Sequence, residues 1–286
     1  MNSVKQKVIL NRVEAALATP AQESSFSVYE LLILLRALTD HQPALAEQLF
    51  LHFWSPSANA TPAHPLQAYQ LCQGIAIGEY SRNQRFQGLS SADLGQALQL
   101  RQRLQTLLDP ETSGVLILSE ENISQNELLG LQTLWIQNVE NLSALAAAAG
   151  LDTEEISLQL EMLIHETNHQ FWSVDSGTYL LHPSNRGQNT SSWPLQYLPL
   201  WAKIPDQDQA EDMLIQLRTT TPPWTKPEDT SWVSATTLLI YEGLQHYEMH
   251  KAAQELKSYL YRHCYNKQDN WLHACISLAF ASSSPT

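Results

Sequence analysis

Residues 128–150 read LLGLQTLWIQNVENLSALAAAAG, and residues 151–171 continue with LDTEEISLQLEMLIHETNHQF. In the first segment apolar side chains recur every three or four residues, the spacing of one helical face, and Gly150 supplies a stop. The second segment begins after Asp152, a candidate N-cap with Glu155 three positions later. Its apolar side chains form a single stripe made of Ile156, Leu160, Ile164 and Phe171. We therefore predict an αα-hairpin with helices at 126–149 and 153–172.

The same periodicity extends along most of the chain. It predicts further helices at about 3–18, 28–38, 42–54, 66–82, 91–108, 194–202, 206–218, 233–248, 250–265 and 270–281. Strand signal is scarce, and the clearest candidate is the short apolar run from Gly114 to Leu118. About twelve helices with alternating short and long connectors favour an all-α solenoid or closed toroid over a four-helix bundle. The periodicity leaves open whether the array closes.

The charge balance limits the classes of partner. The 286 residues include 29 acidic and 16 basic side chains, giving a net charge of −13, and no basic run. Nucleic acids and anionic membranes are bound mainly through Lys and Arg, so neither is an expected partner. No segment reaches the roughly 18 apolar residues of a membrane-spanning helix, and the N-terminal residues lack a secretory signal pattern. Three cysteines without paired spacing complete a pattern typical of a cytoplasmic protein.

Six short motifs follow one another from residue 109 onward. They are Asp109–Leu118, Asn141–Ala146, Phe171–Tyr179, Leu198–Trp201, Gly243-Leu244 with Tyr247, and Asn270–Ala274. In this order they resemble motifs of the (α/α)6-toroid glycosidases of the trehalase and glycosyl-oligosaccharide glucosidase clan, including mannosylglycerate-hydrolase-like enzymes. The resemblance implies one compact toroid domain over residues 1–286. It also implies an inverting glycoside hydrolase that acts on small α-linked glucosides or mannosides.

Hydrolysis by inversion requires one carboxylic acid to protonate the leaving oxygen and a second carboxylate to activate water. The resemblance places Gln125 at the position of the acid, and an amide is no useful proton donor. It places Asp269 as the nearest carboxylate to the position of the base. Two interpretations follow: a degenerate toroid kept for carbohydrate binding or as a scaffold, or an active glycosidase with shifted carboxylates. The candidates for the second are Glu120, Glu121, Glu127 and Asp269.

A different chemistry is suggested by His165, Glu166 and His169, which have the HExxH spacing of zinc hydrolases. On a helical wheel the two histidines lie about 140° and 180° from the apolar stripe of their helix. The middle positions of the motif are Thr and Asn, and no third ligand is evident. We interpret the motif as a polar helix face and keep a zinc hydrolase as the alternative.

A second polar group combines Glu242, His246 and His250, which share a helical face with Leu239 and Gly243. This face is expected to point toward a core or a cavity, and in a toroid one ring of helices lines the central cavity. Glu242 and His246 are therefore candidate ligand-binding residues. The alternative is an intrahelical Glu–His pair in a partly buried interface.

Aromatic side chains are concentrated between residues 172 and 232. Sugar rings stack on aromatic planes, and Trp also offers a polar tip, so Trp193, Trp224 and Trp232 are candidate sugar-binding residues. Gln125 is a further candidate substrate-binding residue. Trp201 is interpreted as a packing residue. The sequence contains no Gly-rich phosphate loop, no Ser nucleophile elbow and no catalytic Cys pattern, so no cofactor is expected. The expected partner is a carbohydrate or small polar ligand, and a protein partner or homo-oligomer stays open.

Overall fold

A computed structural model describes residues 3–18, 28–39, 42–54, 128–148, 150–181, 193–219, 231–264, 274–275 and 277. Eight α-helices lie in these ranges: α1 Ser3–Ala18, α2 Val28–Thr39, α3 Pro43–Trp54, α4 Leu128–Ala148, α5 Glu154–Phe171, α6 Gln207–Thr219, α7 Ser231–His246 and α8 His250–Cys264. Their boundaries agree with the predicted ones to within two residues. Three predicted segments lie outside the described residues: the helices at 66–82 and 91–108 and the run Gly114–Leu118. Of the helix predicted at 270–281, the structure describes Ala274, Cys275 and Ser277, and all three are helical.

The predicted αα-hairpin is confirmed as α4 and α5, which pack against each other. α4 ends in a Schellman motif: Gly150, at φ 72°, donates to Ala147 O at 3.0 Å, and Leu151 donates to Ala146 O at 2.9 Å. The N-cap differs from the prediction. Thr153 occupies that position without a side-chain cap, while Asp152 Oδ1 accepts from the Glu154 amide at 3.0 Å.

The described helices are of two kinds. In α4 every residue from Leu128 to Val139 is buried, and α7 is buried nearly all round. In contrast, α5 and α8 are amphipathic, with one buried face and one exposed face. α2 packs against α3, α4 against α5, and α7 against α8. Each of these pairs therefore joins a largely buried helix to the next helix of the chain, which is the repeating unit of an α/α toroid.

A 3-10 helix, Leu195–Leu200, replaces the helix predicted at 194–202. Pro199 has no amide hydrogen to donate, and the flanking amides of Tyr197 and Trp201 make tight bonds to Pro194 O and Leu198 O, both at 3.0 Å. This segment packs against both α4 and α7. It therefore ties two of the buried helices together.

Strand content is small, as expected. β1, Trp172–Ser173, pairs antiparallel with β2, Thr178–Tyr179, in a hairpin directly after α5. Gly177 turns the hairpin at φ 60°, a conformation that L side chains rarely adopt. The hairpin packs on α6 and on the 3-10 helix through β2. None of the described helices combines the length and apolar character needed to cross a membrane.

Candidate functional site

Six of the predicted site residues lie outside the described part of the chain. These are Glu120, Glu121, Gln125, Glu127, Trp224 and Asp269. For Trp232 the structure describes the backbone alone, in the first turn of α7. The catalytic roles assigned to Glu121, Glu127 and Asp269 therefore stay predictions.

Glu242 is held by an arginine from another helix. Arg36 Nη1 on α2 donates to both carboxylate oxygens of Glu242 on α7, at 2.8 and 2.6 Å. The guanidinium carbon also lies 6.0 Å from the centre of the Trp201 ring. Both charged side chains are partly exposed, 23% for Arg36 and 34% for Glu242. The carboxylate thus bridges two buried helices, and His246, one turn later, is exposed and meets the ring of Tyr247 edge-on at 5.3 Å.

Trp193 precedes the 3-10 helix and is half-buried. Its ring lies 5.6 Å from that of Tyr197 and packs against the hydrophobic core. This arrangement anchors the start of the 3-10 helix. Sugar stacking by Trp193 stays a prediction.

The HExxH residues lie on the exposed side of α5. Glu166 sits between the two histidines, 3.9 Å from His165 Nε2 and 3.9 Å from His169 Nδ1. The opposite side of α5 carries its buried residues Ile156, Gln159, Leu163, Thr167 and Phe171. Across the residues that the structure describes, no group of three or more His, Cys, Asp or Glu side chains is placed to hold a metal ion. The two histidines of the motif thus lie on a solvent-exposed face of α5.

Two of the family-like motifs, Leu198–Trp201 and Gly243-Leu244 with Tyr247, meet around the turn after the 3-10 helix. Gly243 of α7 lies against the peptide bond between Leu200 and Trp201. Tyr247 Oη donates to Pro205 O at 2.6 Å. Burial, reinforced by Asp206, raises the pKa of the Tyr247 phenol, so it stays protonated at neutral pH. These motifs position the turn after the 3-10 helix.

The same turn is held from the other side by α5 and β2. Asn168 Nδ2 donates to Ile204 O at 3.1 Å, and Tyr179 Oη donates to Asn168 Oδ1. Tyr179 is buried, and its burial raises the pKa of its phenol well above the ordinary value. The Phe171–Tyr179 motif therefore contributes a structural bridge rather than a reactive group.

A row of polar groups inside α4 was not singled out from the sequence. Trp135, Asn138 and Asn141 follow one another at intervals of three residues, so they lie side by side over about 9 Å of the helix. All three are 0% exposed. The indole Nε1 and both amide atoms of each asparagine have no hydrogen-bond partner within the described chain. We call these three residues the α4 polar row.

Other buried polar residues of α4 are paired. Gln132 Nε2 donates to Thr167 Oγ1 at 3.0 Å, and Thr133 Oγ1 donates to Leu129 O at 2.8 Å. At 100° per residue, Gln132 points about 120° away from Asn138. Asn138 and Asn141 therefore lie on a different side of α4 from Gln132 and its bond to α5, whereas Trp135 lies between the two sides. Polar residues at a spacing of three within an apolar helix were the available sequence signal, but their lack of partners is visible only in three dimensions.

The polar row has a definite chemical character. An asparagine amide both donates and accepts hydrogen bonds, and an indole N–H donates. None of these groups titrates near neutral pH, so the row cannot perform acid–base catalysis. Unpaired buried polar atoms are uncommon in native proteins, and each costs about 1–3 kcal/mol.

No protein-family model matches this sequence, and no curated protein matches it. Solved structures do match. Mannosylglycerate hydrolase of glycoside hydrolase family 63 from Thermus thermophilus, in complex with Tris, aligns over 97% of this chain and 98% of its own at a TM-score of 0.70 and 11% identity. A rhamnosidase from Klebsiella oxytoca with bound rhamnose aligns over 94% of this chain and 57% of its own, with a TM-score of 0.64 and 12% identity.

This chain has the helical-toroid fold of these glycoside hydrolases. The expected all-α toroid is thereby confirmed. An uncharacterized conserved protein from T. thermophilus also matches, over 97% of this chain and all of its own, at a TM-score of 0.67 and 14% identity. The TM-scores of these matches establish the fold of this chain, and at identities this low they establish the fold alone. Within the toroid, α4 and α7 have the all-round burial of inner helices, so the polar row lies on an inner helix.

Proposed function

We propose that the protein is a carbohydrate-binding toroid of glycoside-hydrolase type that has lost hydrolytic activity. The observation that carries the binding part of the proposal is the α4 polar row. It supplies buried, neutral donors and acceptors on an inner helix of the toroid. Sugar hydroxyls both donate and accept hydrogen bonds, so a neutral sugar or polyol matches the amides of Asn138 and Asn141.

The ligand class is also supported by what the similar structures hold. Their complexes contain Tris, glucose, D-glycerate and rhamnose, which are small hydroxylated molecules. The polar row contains no charged side chain. We therefore propose a neutral monosaccharide or small glycoside as the ligand of this chain.

The loss of hydrolysis is proposed from the chemistry at the expected catalytic positions. The family resemblance puts Gln125 where the acid belongs, and a primary amide cannot protonate a leaving oxygen. Among the described acidic residues, Glu242 is a poor replacement because Arg36 already donates two hydrogen bonds to its carboxylate. A carboxylate whose two oxygens both accept from a guanidinium is not positioned to donate a proton to a leaving oxygen.

The test combines binding and turnover on the full-length protein. Calorimetric titration with glucose, mannose, rhamnose and D-glycerate is expected to detect binding of at least one neutral sugar. A panel of nitrophenyl α-glycosides and mannosylglycerate is expected to show no hydrolysis above the buffer rate. Turnover that Glu121→Gln, Glu127→Gln or Asp269→Asn abolishes would establish the active glycosidase with shifted carboxylates instead. Absence of binding to every sugar would refute the binding part.

The zinc alternative is tested on the same preparation. Protein purified without a His tag is expected to contain no stoichiometric zinc by elemental analysis. One zinc per chain, lost together with activity in His165→Ala, would instead support a metallohydrolase.

A further inference from the structure

The exposed side of α5 carries a second regular pattern, opposite its buried residues. Leu158 and Met162 are 59% and 44% exposed, and His165 and His169 continue the same line with 78% and 68% of their side chains exposed. With Glu155 at its start, the line has spacings of three, four, three and four residues. We call Glu155, Leu158, Met162, His165 and His169 the α5 outer stripe.

This spacing is the a/d pattern of a helix that pairs with another helix. The outer side of an amphipathic helix is ordinarily polar, and single exposed apolar residues are common. Here two apolar side chains stand one turn apart at the centre of the pattern, with polar residues at both ends. An apolar centre with a polar periphery is the usual composition of a protein interface.

We infer that two copies of this chain associate through the α5 outer stripe, with the two α5 helices antiparallel about a two-fold axis. In antiparallel pairing an a position meets a d position of the other helix. Leu158 then meets the other copy's Met162, and Glu155 meets its His165. Both contacts occur twice because the two-fold axis makes the interface isologous.

Charge complementarity selects this arrangement over a parallel one. Parallel helices would place each residue of the stripe against itself, so Glu155 would meet a second Glu155 and each histidine a second histidine. Like charges in contact are unfavourable, whereas the antiparallel register pairs an acid with an imidazole. The stripe is therefore complementary to itself in one orientation only. It also gives the HExxH spacing an explanation that needs no metal, because His165 and His169 are consecutive d and a positions.

The association is independent of the proposed carbohydrate binding. One helix pair is at the small end of stable interfaces, so we expect a concentration-dependent dimer. The test is sedimentation equilibrium of the full chain with Leu158→Glu. This substitution puts a charge at the centre of the stripe and is expected to give a monomer with an unchanged circular dichroism spectrum.

The matched control is Ile215→Glu, which places the same charge at a 55% exposed apolar residue of α6. It is expected to leave the dimer intact. Glu161→Gln should strengthen dimerisation several-fold, since Glu161 flanks the proposed axis and faces its own copy. Wild-type protein that stays monomeric at every concentration would overturn the inference, as would equal disruption by both charged variants.

Cysteine pairing tests the orientation. Differently tagged Leu158→Cys and Met162→Cys chains, mixed and oxidised mildly, are expected to form the mixed disulfide-linked dimer faster than either variant alone. Faster linkage in Leu158→Cys alone would show a parallel pair and overturn the antiparallel register. The dimer should persist in EDTA, and its loss on chelation would replace the inference with metal-bridged association.

Discussion

Gly243 lies so close to the peptide bond between Leu200 and Trp201 that a Cβ atom on it would stand 2.6 Å from both Leu200 C and Trp201 N. Real Cβ atoms essentially never approach other atoms this closely. The contact brings the backbone of α7 directly against the end of the 3-10 helix, with no side chain between them. Gly243 therefore sets the spacing between an inner helix and the turn that Tyr247 and Asn168 also hold.

Substitution of Gly243 by alanine is expected to destabilise the protein by about 1–3 kcal/mol, because the new methyl group meets backbone that must shift. By helix propensity alone, the same substitution would stabilise the protein by about 1 kcal/mol, because alanine is the better helix former. A net destabilisation therefore indicates that the steric contact with the backbone dominates. Equilibrium unfolding in urea measures it.

The matched control is Gly130→Ala in α4, whose Cβ would approach the Tyr29 hydroxyl at 2.7 Å. That atom ends a side chain that can move, so the loss should be smaller. A Gly243→Ala protein as stable as the wild type would contradict the packing role.

The contacts of Gly243 and Tyr247 explain why the fold could be predicted from the sequence. Helical periodicity is a local property, and it fixed the described helix boundaries to within two residues. Two of the family-like motifs carried tertiary information, because Gly243 touches the Leu200–Trp201 peptide bond and Tyr247 bonds the turn that follows it. The fold itself is shared with a solved structure at only 11% identity, with a TM-score of 0.70. These contacts say nothing about catalysis, which would depend on residues elsewhere.

The candidate site was less predictable because its properties depend on distant partners. The sequence predicts Glu242 as a ligand-binding residue or as the intrahelical partner of His246, whereas the structure shows it bonded to Arg36, 206 positions away in the sequence. No local pattern contains that contact. The sequence gives no signal for Asn138 for a related reason: an asparagine in a helix is ordinary, and only the packed structure shows that it is buried with no partner among the described residues.

The Arg36–Glu242 pair is expected to contribute a measurable but modest coupling energy. Two short charge-assisted hydrogen bonds favour the pair, whereas partial exposure of both side chains lets solvent and salt screen it. A double-mutant cycle with Arg36→Met and Glu242→Gln should give about 1 kcal/mol at low salt and less at high salt. Glu248→Gln, at an exposed position in the turn after α7, serves as a control and should show no coupling to Arg36. A coupling energy near zero at low salt would contradict the bridge between α2 and α7.

The Tyr247 phenol makes stability depend on alkaline pH. Burial raises the pKa of this phenol in the folded protein above the value of about 10 in the unfolded chain. The contribution of the phenol to the free energy of unfolding is therefore complete below about pH 10. It declines as the pH rises further, because the unfolded state releases the proton first. Tyr247→Phe is expected to lose about 1 kcal/mol at neutral pH with the bond to Pro205 O. Urea unfolding from about pH 7 to pH 11 should show the two proteins converging, and a constant difference would contradict the assignment.

Asn138 gives the sharpest test of the α4 polar row, because the competing explanations predict opposite signs. If its amide is unpaired in the free protein, Asn138→Leu removes a desolvation penalty of about 1–3 kcal/mol and raises stability without added ligand. If water or protein groups satisfy the amide, the same change lowers stability. The control Thr133→Val, on another side of α4, loses a bond to Leu129 O and should be slightly destabilising.

A neutral sugar in hundred-fold excess over its Kd should then stabilise the wild type by about 2.7 kcal/mol and Asn138→Leu by much less. Destabilisation by Asn138→Leu with an unchanged response to sugar would show that the ligand binds elsewhere in the toroid.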